Sequence, residues 1–328
     1  MTTVYITGGS AGLGRAIAAA YAKDGYKVGI IAREPEALAE AAADIGHGVV
    51  CAAADVSVFE QLEAAAQKLE ALIGPPDIWI NDAMATIFSR FEDITPAEFA
   101  QSTNITFLGS VYGTQIALKF MKARGKGHII QVGSALAYRA IPLQAPYCAS
   151  KYALRGALES LRCELIHDKS PINVTMVQMP AMNTPQFDWA RRHIAEQPQP
   201  APPIYAPEAC ARAVLWAAKH PTRREVWVGK PTFQAILANK LVPGIMDYYM
   251  AHRAFEGQFE YKTEDKNTEG NLFAPLKKFH HTEGHFANRQ SNKVLWVGTS
   301  WRHETVLFSV LFLLFLAFVA ALVIGWSR

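Results

Sequence analysis

Tyr147 and Lys151 stand four residues apart in Tyr147-Cys148-Ala149-Ser150-Lys151, a spacing that sets both side chains on one face of a helix. A free phenol ionises near ~10 and is a poor acid–base group at neutral pH. A neighbouring ammonium favours the phenolate and should draw that pKa toward the working range. Such pairs also occur by chance on amphipathic helices, so a third group matters. Ser134 closes the apolar run His128 to Gly133, and strand ends of this kind border the ligand crevice of open α/β sheets. The three side chains read as a site for moving a proton.

A second constellation lies at the start of the chain. The apolar stretch Val4-Tyr5-Ile6-Thr7 runs into Gly8-Gly9-Ser10-Ala11-Gly12-Leu13-Gly14 and then into a helical pattern. Glycines there permit a tight turn and let the main chain approach a pyrophosphate, whose charge is met by the free N–H groups of the helix start. Its place between the first strand and the first helix favours dinucleotide binding over simple packing.

The elements that must position these groups follow from the apolar pattern. From Val4 to about Gly229, short apolar runs alternate with helical stretches: Val28 to Ile31, Val49 to Ala52, Ile78 to Ile80, His128 to Val132, Ile172 to Val177 and Val226 to Val228. Nearly all-apolar strands with long connections are those of a parallel sheet covered on both faces. The fold class is α/β, a doubly wound parallel sheet of about seven strands. Between Pro180 and Pro207 no period is visible and prolines recur, so a long loop is expected at the carboxyl end of a strand, where long loops are usually functional.

The spacing T-G-x-x-x-G-x-G, followed by Ser134, Tyr147 and Lys151 as S…Y-x-x-x-K, resembles the short-chain dehydrogenase/reductase family over residues 3–235. The resemblance implies a Rossmann fold in which Ser134 bonds the substrate oxygen, Tyr147 exchanges the proton, and Lys151 also holds the nicotinamide ribose. It further implies a proton-relay role for Asn104, an adenine contact for Asp55, cofactor contacts from Asn81, and a nicotinamide carboxamide contact from Thr184. Gly8, Ser10, Gly12, Leu13 and Gly14 fall on the cofactor turn. The chain departs from the family's N-N-A-G at Asn81-Asp82-Ala83-Met84, where Met84 replaces a small residue. The second strand ends in Ala32-Arg33 rather than in a carboxylate, and a guanidinium suits a 2′-phosphate, with Arg15 in reach to assist. NADP(H) is therefore expected over NAD(H).

The 328 residues carry a net charge of +3, with 50% hydrophobic and 19% charged residues. That balance excludes a disordered chain and gives no reason to expect a nucleic-acid partner. Four scattered cysteines form no C-x-x-C pair, so neither a disulfide framework nor a zinc site is expected. His280, His281 and His285 around Glu283 lack the spacing of a metal motif and are expected to be exposed. Residues 236–304 read as an irregular extension or tether. Val306 to Trp326 is a 21-residue apolar run flanked by Trp301 and Trp326. As a helix it would measure roughly 32 Å, enough for a hydrocarbon core of about 30 Å. Arg289, Lys293 and Arg302 precede it, so the domains are 1–235 catalytic, 236–304 extension and 305–326 transmembrane helix, with the N-terminal side cytoplasmic. The expected activity is carbonyl–alcohol interconversion on a lipophilic substrate. The alternative is a membrane-tethered nucleotide sensor or scaffold without turnover, and homo-oligomers through the long helices are implied by the resemblance alone.

Overall fold

The structure is a computed structural model that describes residues 1–263, 268–278 and 280–300, with Ser309, Val310, Phe312 and Leu313. Its central sheet has eight strands: β1 (Thr3–Thr7), β2 (Lys27–Ala32), β3 (Val50–Ala53), β4 (Ile78–Asn81), β5 (Gly127–Ser134), β6 (Ile172–Met179), β7 (Glu225–Val228) and β8 (Trp296–Thr299). They lie in the order β8-β7-β6-β5-β4-β1-β2-β3. All neighbours are parallel except β8, which runs antiparallel to β7. The strand order reverses between β1 and β4, and a crevice opens there at the carboxyl ends.

The helices are α1 (Gly12–Lys23), α2 (Pro35–Ile45), α3 (Phe59–Ile73), α4 (Pro96–Thr103), α5 (Gly109–Arg124), α6 (Ala145–His167), α7 (Gln186–Trp189), α8 (Pro207–Lys219), α9 (Lys230–Leu241) and α10 (Pro243–Tyr249). Alternate residues of each strand feed two cores. Val4, Ile6, Ile30 and Ile80 pack with Ile17 of α1 and Val214 of α8 on one face. Tyr5, Ile31, Trp79 and Ile129 pack with Leu69 of α3, Ile116 of α5 and Leu154 of α6 on the other. Both faces are dry, which is why these strands read as unbroken apolar runs rather than as an alternation.

The greatest difference from the sequence expectation lies after residue 235. The stretch expected to be an irregular extension or tether is sewn onto the domain. Phe259–Thr263 pairs with Glu196–Pro198, Thr268 bridges to Arg192, Gln290–Ser291 pairs with Ile204–Tyr205, and β8 adds the eighth strand to the sheet. A seventh strand left at the edge would expose unpaired backbone groups, and β8 satisfies them. The same pairings hold the Pro180–Pro207 loop, which contains α7 and three short strands rather than free coil. No helix among the described residues is long and apolar enough to cross a membrane. The expected span from Val306 to Trp326 lies outside the described residues except at Ser309, Val310, Phe312 and Leu313.

Candidate active site

Ser134 is the last residue of β5 and is buried. Its main-chain N–H donates to Gln178 Oε1 at 2.9 Å and its Oγ accepts from Leu136 N–H at 3.1 Å, so the strand end is fixed from both sides. Helix α6 begins with a proline in its first turn, as the fixed φ of proline favours. Within that first turn it brings Tyr147 to a hydrogen bond with Ser134. The next turn places Lys151, almost fully buried, with Nζ donating to Val132 O at 2.8 Å and lying 5.4 Å from the centre of the Tyr147 ring.

The electrostatics of this trio differ from the expectation of a phenol drawn down by its lysine. Burial holds the Tyr147 pKa well above that of a free phenol; the hydrogen bond from Ser134 opposes this, while Cys148 and the Asp82 carboxyl reinforce it. Tyr147 is thus a protonated phenol at neutral pH, poised to donate. Burial lowers Lys151 to about 8, against the pull of Asp82. Burial likewise raises Asp82 to about 7, opposed by Lys151 and by a hydrogen bond from the Gly14 N–H.

A single cavity of about 680 Å³ runs from the glycine turn to this trio and beyond. Gly8, Ser10, Gly12 and Leu13 line its near end, Arg33 and Asp55 one side, Ser134, Tyr147 and Lys151 its middle, and Thr184 the facing loop. The turn depends on its glycines. Gly8 has φ +78°, and a Cβ there would sit 2.9 Å from Ala83 N; at Gly14 a Cβ would meet Gly8 O at 2.2 Å. Arg33 Nη2 donates to Asn271 O at 2.5 Å, while its buried Nη1 has no partner among the described residues. A narrow glycine cradle leading to an unsatisfied guanidinium nitrogen fits an anionic dinucleotide.

Other expected site residues lie elsewhere. Asn81 does not line the cavity: fully buried, it accepts from Trp79 Nε1 at 2.7 Å and donates to Ser110 O at 3.2 Å and Thr114 Oγ1 at 3.0 Å, fastening β4 to α5. Arg15 is buried and committed to Asp44 and to the carbonyl of His280, so it is not placed to assist a phosphate. Gly14 packs under the turn and gives its N–H to Asp82 rather than forming cavity wall. Asn104 opens a π-helical turn, Asn104–Leu108, with its carbonyl accepting the Gly109 N–H; its neighbour Ile105, not Asn104, reaches the cavity. Asp55 lines the cavity while its Oδ1 accepts from Ser57 N–H at 2.9 Å and Ser57 Oγ at 2.7 Å.

Sequence reasoning pointed to the Pro180–Pro207 loop but missed what the extension adds to the far end of the cavity. Gln144 donates to Gln258 Oε1 at 2.7 Å there, and Met246, Tyr249 and Met250 of the extension join Met182, Phe187 and Trp189 of the loop as wall. The run Tyr248-Tyr249-Met250 was the available signal. The histidines also serve the extension's packing: the His281 carbonyl accepts the Gly12 N–H at 2.9 Å, His280 packs 6.1 Å from Trp189, and His285 Nδ1 lies 2.8 Å from Asp188. His280 is thus half-buried rather than exposed. Among the described residues no three His, Cys, Asp or Glu side chains converge as metal ligands.

The chain is similar to known proteins. The short chain dehydrogenase family matches residues 2–194. An uncharacterized oxidoreductase of Bacillus subtilis is 32% identical over 275 residues, covering 82% of this chain and 77% of that protein. The 3-ketodihydrosphingosine reductase of Bos taurus is 32% identical over 194 residues, 56% of this chain and 57% of the relative, so the match spans little more than half of that enzyme. Among solved structures, an alcohol dehydrogenase from the archaeon Thermococcus sibiricus complexed with 5-hydroxy-NADP superposes with a TM-score of 0.58 at 26% identity, covering 67% of this chain and 91% of that one. Matched by the family over more than half its length, the chain belongs to the short-chain dehydrogenases, oxidoreductases that act on carbonyl and alcohol groups.

Proposed function

We propose that the protein is an NADP(H)-dependent oxidoreductase that interconverts a lipophilic carbonyl compound and its alcohol close to a membrane. The observation that carries this reading is the Ser134–Tyr147 hydrogen bond beside buried Lys151, midway along a cavity that begins at a glycine turn. Ser10 and Leu13 would hold the pyrophosphate, with Gly8 and Gly12 allowing its close approach, Arg33 would hold the 2′-phosphate, and Lys151 the ribose next to the reacting ring. When bound, the nicotinamide supplies or accepts hydride. In the reductive direction Ser134 donates to the substrate oxygen and polarises the carbonyl. Tyr147 then gives its proton to that oxygen, and the Lys151 ammonium stabilises the phenolate left behind.

The lipophilic substrate is supported by the apolar far wall, Met182, Phe187, Trp189, Met246 and Met250, and by the similarity to 3-ketodihydrosphingosine reductase. Leu241, Ile245 and Tyr248 on α9 and α10 are strongly exposed, beside Met246 and Tyr249 of the cavity wall. An apolar surface would then lie at the substrate end. The run Val306 to Trp326 would anchor the chain in a bilayer with its catalytic domain in the cytoplasm.

The test is a screen of detergent-solubilised protein with NADPH and NADH side by side, against long-chain 3-keto sphingoid bases, sterol-like ketones and small soluble carbonyls. The lipophilic ketones should turn over best, and with NADPH. The variant Tyr147→Phe should lose about 10²–10⁴-fold in kcat while binding cofactor normally. Good turnover of small carbonyls, with no reaction of or competition from lipids, removes the substrate assignment. Full turnover by Tyr147→Phe removes the mechanism.

A further inference from the structure

Asp82 is a carboxylate where the family pattern carries an asparagine, and the proposed mechanism leaves it unused. It forms part of the cavity wall between the glycine turn and the Ser134–Tyr147–Lys151 group. Its main-chain N–H donates to Thr7 Oγ1 at 3.2 Å, fastening the end of β4 to the end of β1. Its side chain accepts the N–H of Gly14, in the first turn of α1, and Oδ2 would lie 2.8 Å from a Cβ placed at Gly14. A protein carboxylate therefore already occupies the electropositive end of the helix on which a dinucleotide's phosphates would settle.

We propose that Asp82 makes cofactor binding proton-coupled: docking of the dinucleotide phosphates at the α1 turn drives the Asp82 carboxylate to take up one proton from solvent. The inference rests on the nicotinamide-cofactor reading above. Its physics is like-charge repulsion in a water-poor cavity, relieved when one of the anions is neutralised. The groups facing Asp82 set the sign. On α6, the Lys151 ammonium favours the carboxylate, and the Tyr147 phenol is neutral. On α1 the Gly14 N–H also favours the carboxylate, while Arg15 is turned away to Asp44. On β1 the neighbour is the Thr7 hydroxyl, and Ser134 at the end of β5 lines the same cavity; neither carries a charge.

Burial already lifts Asp82 toward neutrality, and the phosphates of a bound dinucleotide would lift it further, above the pH of the measurement. Affinity then weakens as pH rises above the Asp82 pKa of the free protein, by up to about tenfold per pH unit for one linked proton. The family's asparagine keeps an acceptor for the Gly14 N–H without the charge, so a chain with that residue should bind without the linkage.

The experiment is isothermal titration calorimetry of the full chain with NADP⁺ and with NAD⁺, at pH 6, 7 and 8. Buffers of differing ionisation enthalpy report protons taken up per molecule bound. Wild type should take up close to one proton at pH 8 with either nucleotide. Asp82→Asn should take up almost none with NAD⁺, and should bind about tenfold more tightly than wild type at pH 8. NAD⁺ lacks the 2′-phosphate, so proton uptake with it cannot arise from that group. Because Lys151 titrates together with Asp82, both proteins are also measured with Lys151→Arg, whose guanidinium stays charged, and the difference in proton uptake that remains between them belongs to Asp82. Wild type binding without proton uptake overturns the proposal whatever the variant does, as does an equal uptake in Asp82→Asn. Absence of binding by either nucleotide at any pH overturns the cofactor reading itself.

Discussion

Asn81 and Tyr147 show how a single side chain's role depends on what surrounds it. Both belong to the motif pattern, yet Tyr147 faces the cavity and Asn81 faces the gap between β4 and α5. The Asn81 amide meets an indole N–H, a carbonyl and a hydroxyl inside the core, so nearly its whole bonding capacity is spent on the fold. Substituting Asn81→Ala leaves Trp79 Nε1 buried without an acceptor and should cost about 1–3 kcal/mol of stability. Denaturant unfolding would read that loss. Cofactor affinity, measured by fluorescence titration on the folded variant, should stay within about twofold of wild type. A large loss of affinity at unchanged stability would return Asn81 to the cofactor site. Tyr147 is the converse case: its own packing raises its pKa, and the phenol is kept protonated by the same burial that makes it a useful donor once a substrate oxygen gains charge.

Elements rather than residues explain how the extension acts on the site. Phe286, from the stretch expected to be an irregular extension or tether, is 1% exposed and packs at 5.9 Å against Phe187, which lines the cavity. Its main-chain N–H donates to Asn183 Oδ1 at 3.1 Å, tying it to the loop after β6. Truncation by Phe286→Ala should cost about 3–5 kcal/mol. It should also raise KM for lipophilic substrates more than it lowers kcat, because the wall behind Phe187 is removed. A shift in the urea midpoint worth less than about 1 kcal/mol would mean that the extension does not brace the loop. The sequence made the seven parallel strands, α1 and α6 legible because their signals are local: apolar runs, a glycine turn and a four-residue spacing. It hid β8, whose partner β7 lies some seventy residues away and whose four residues are too few to show a period. It equally hid the fate of Arg15, since nothing near that residue announces that Asp44 and a carbonyl of the extension will claim its guanidinium. At the catalytic centre the three residues were readable from type and spacing, whereas the pKa of Tyr147 was not, because burial is a property of the packed whole.

For the whole molecule, the question is why an oxidoreductase would carry both an apolar-walled cavity and a 21-residue apolar run near its end. β8 ends at Thr299 on the edge of the sheet, and only Ser300 to Thr305 separate it from Val306. Six residues fully extended span at most about 20 Å, so a membrane-inserted run would hold the sheet edge within that distance of the bilayer surface. A substrate dissolved in the bilayer would then meet the enzyme at a raised local concentration, whereas a water-soluble carbonyl would gain nothing. Deleting residues 306–328 tests this without touching β1–β8 or α1–α10. The full chain should sediment with membranes through high salt and the shortened chain should remain in the supernatant. On a long-chain ketone carried in vesicles, the shortened chain should lose about tenfold or more in kcat/KM, while a small soluble carbonyl reacts within about twofold of the full chain. Equal partitioning of the two proteins would remove the anchor. An equal loss on both substrates would mean instead that the deletion had disturbed the catalytic domain, through β8 and the edge strand it covers.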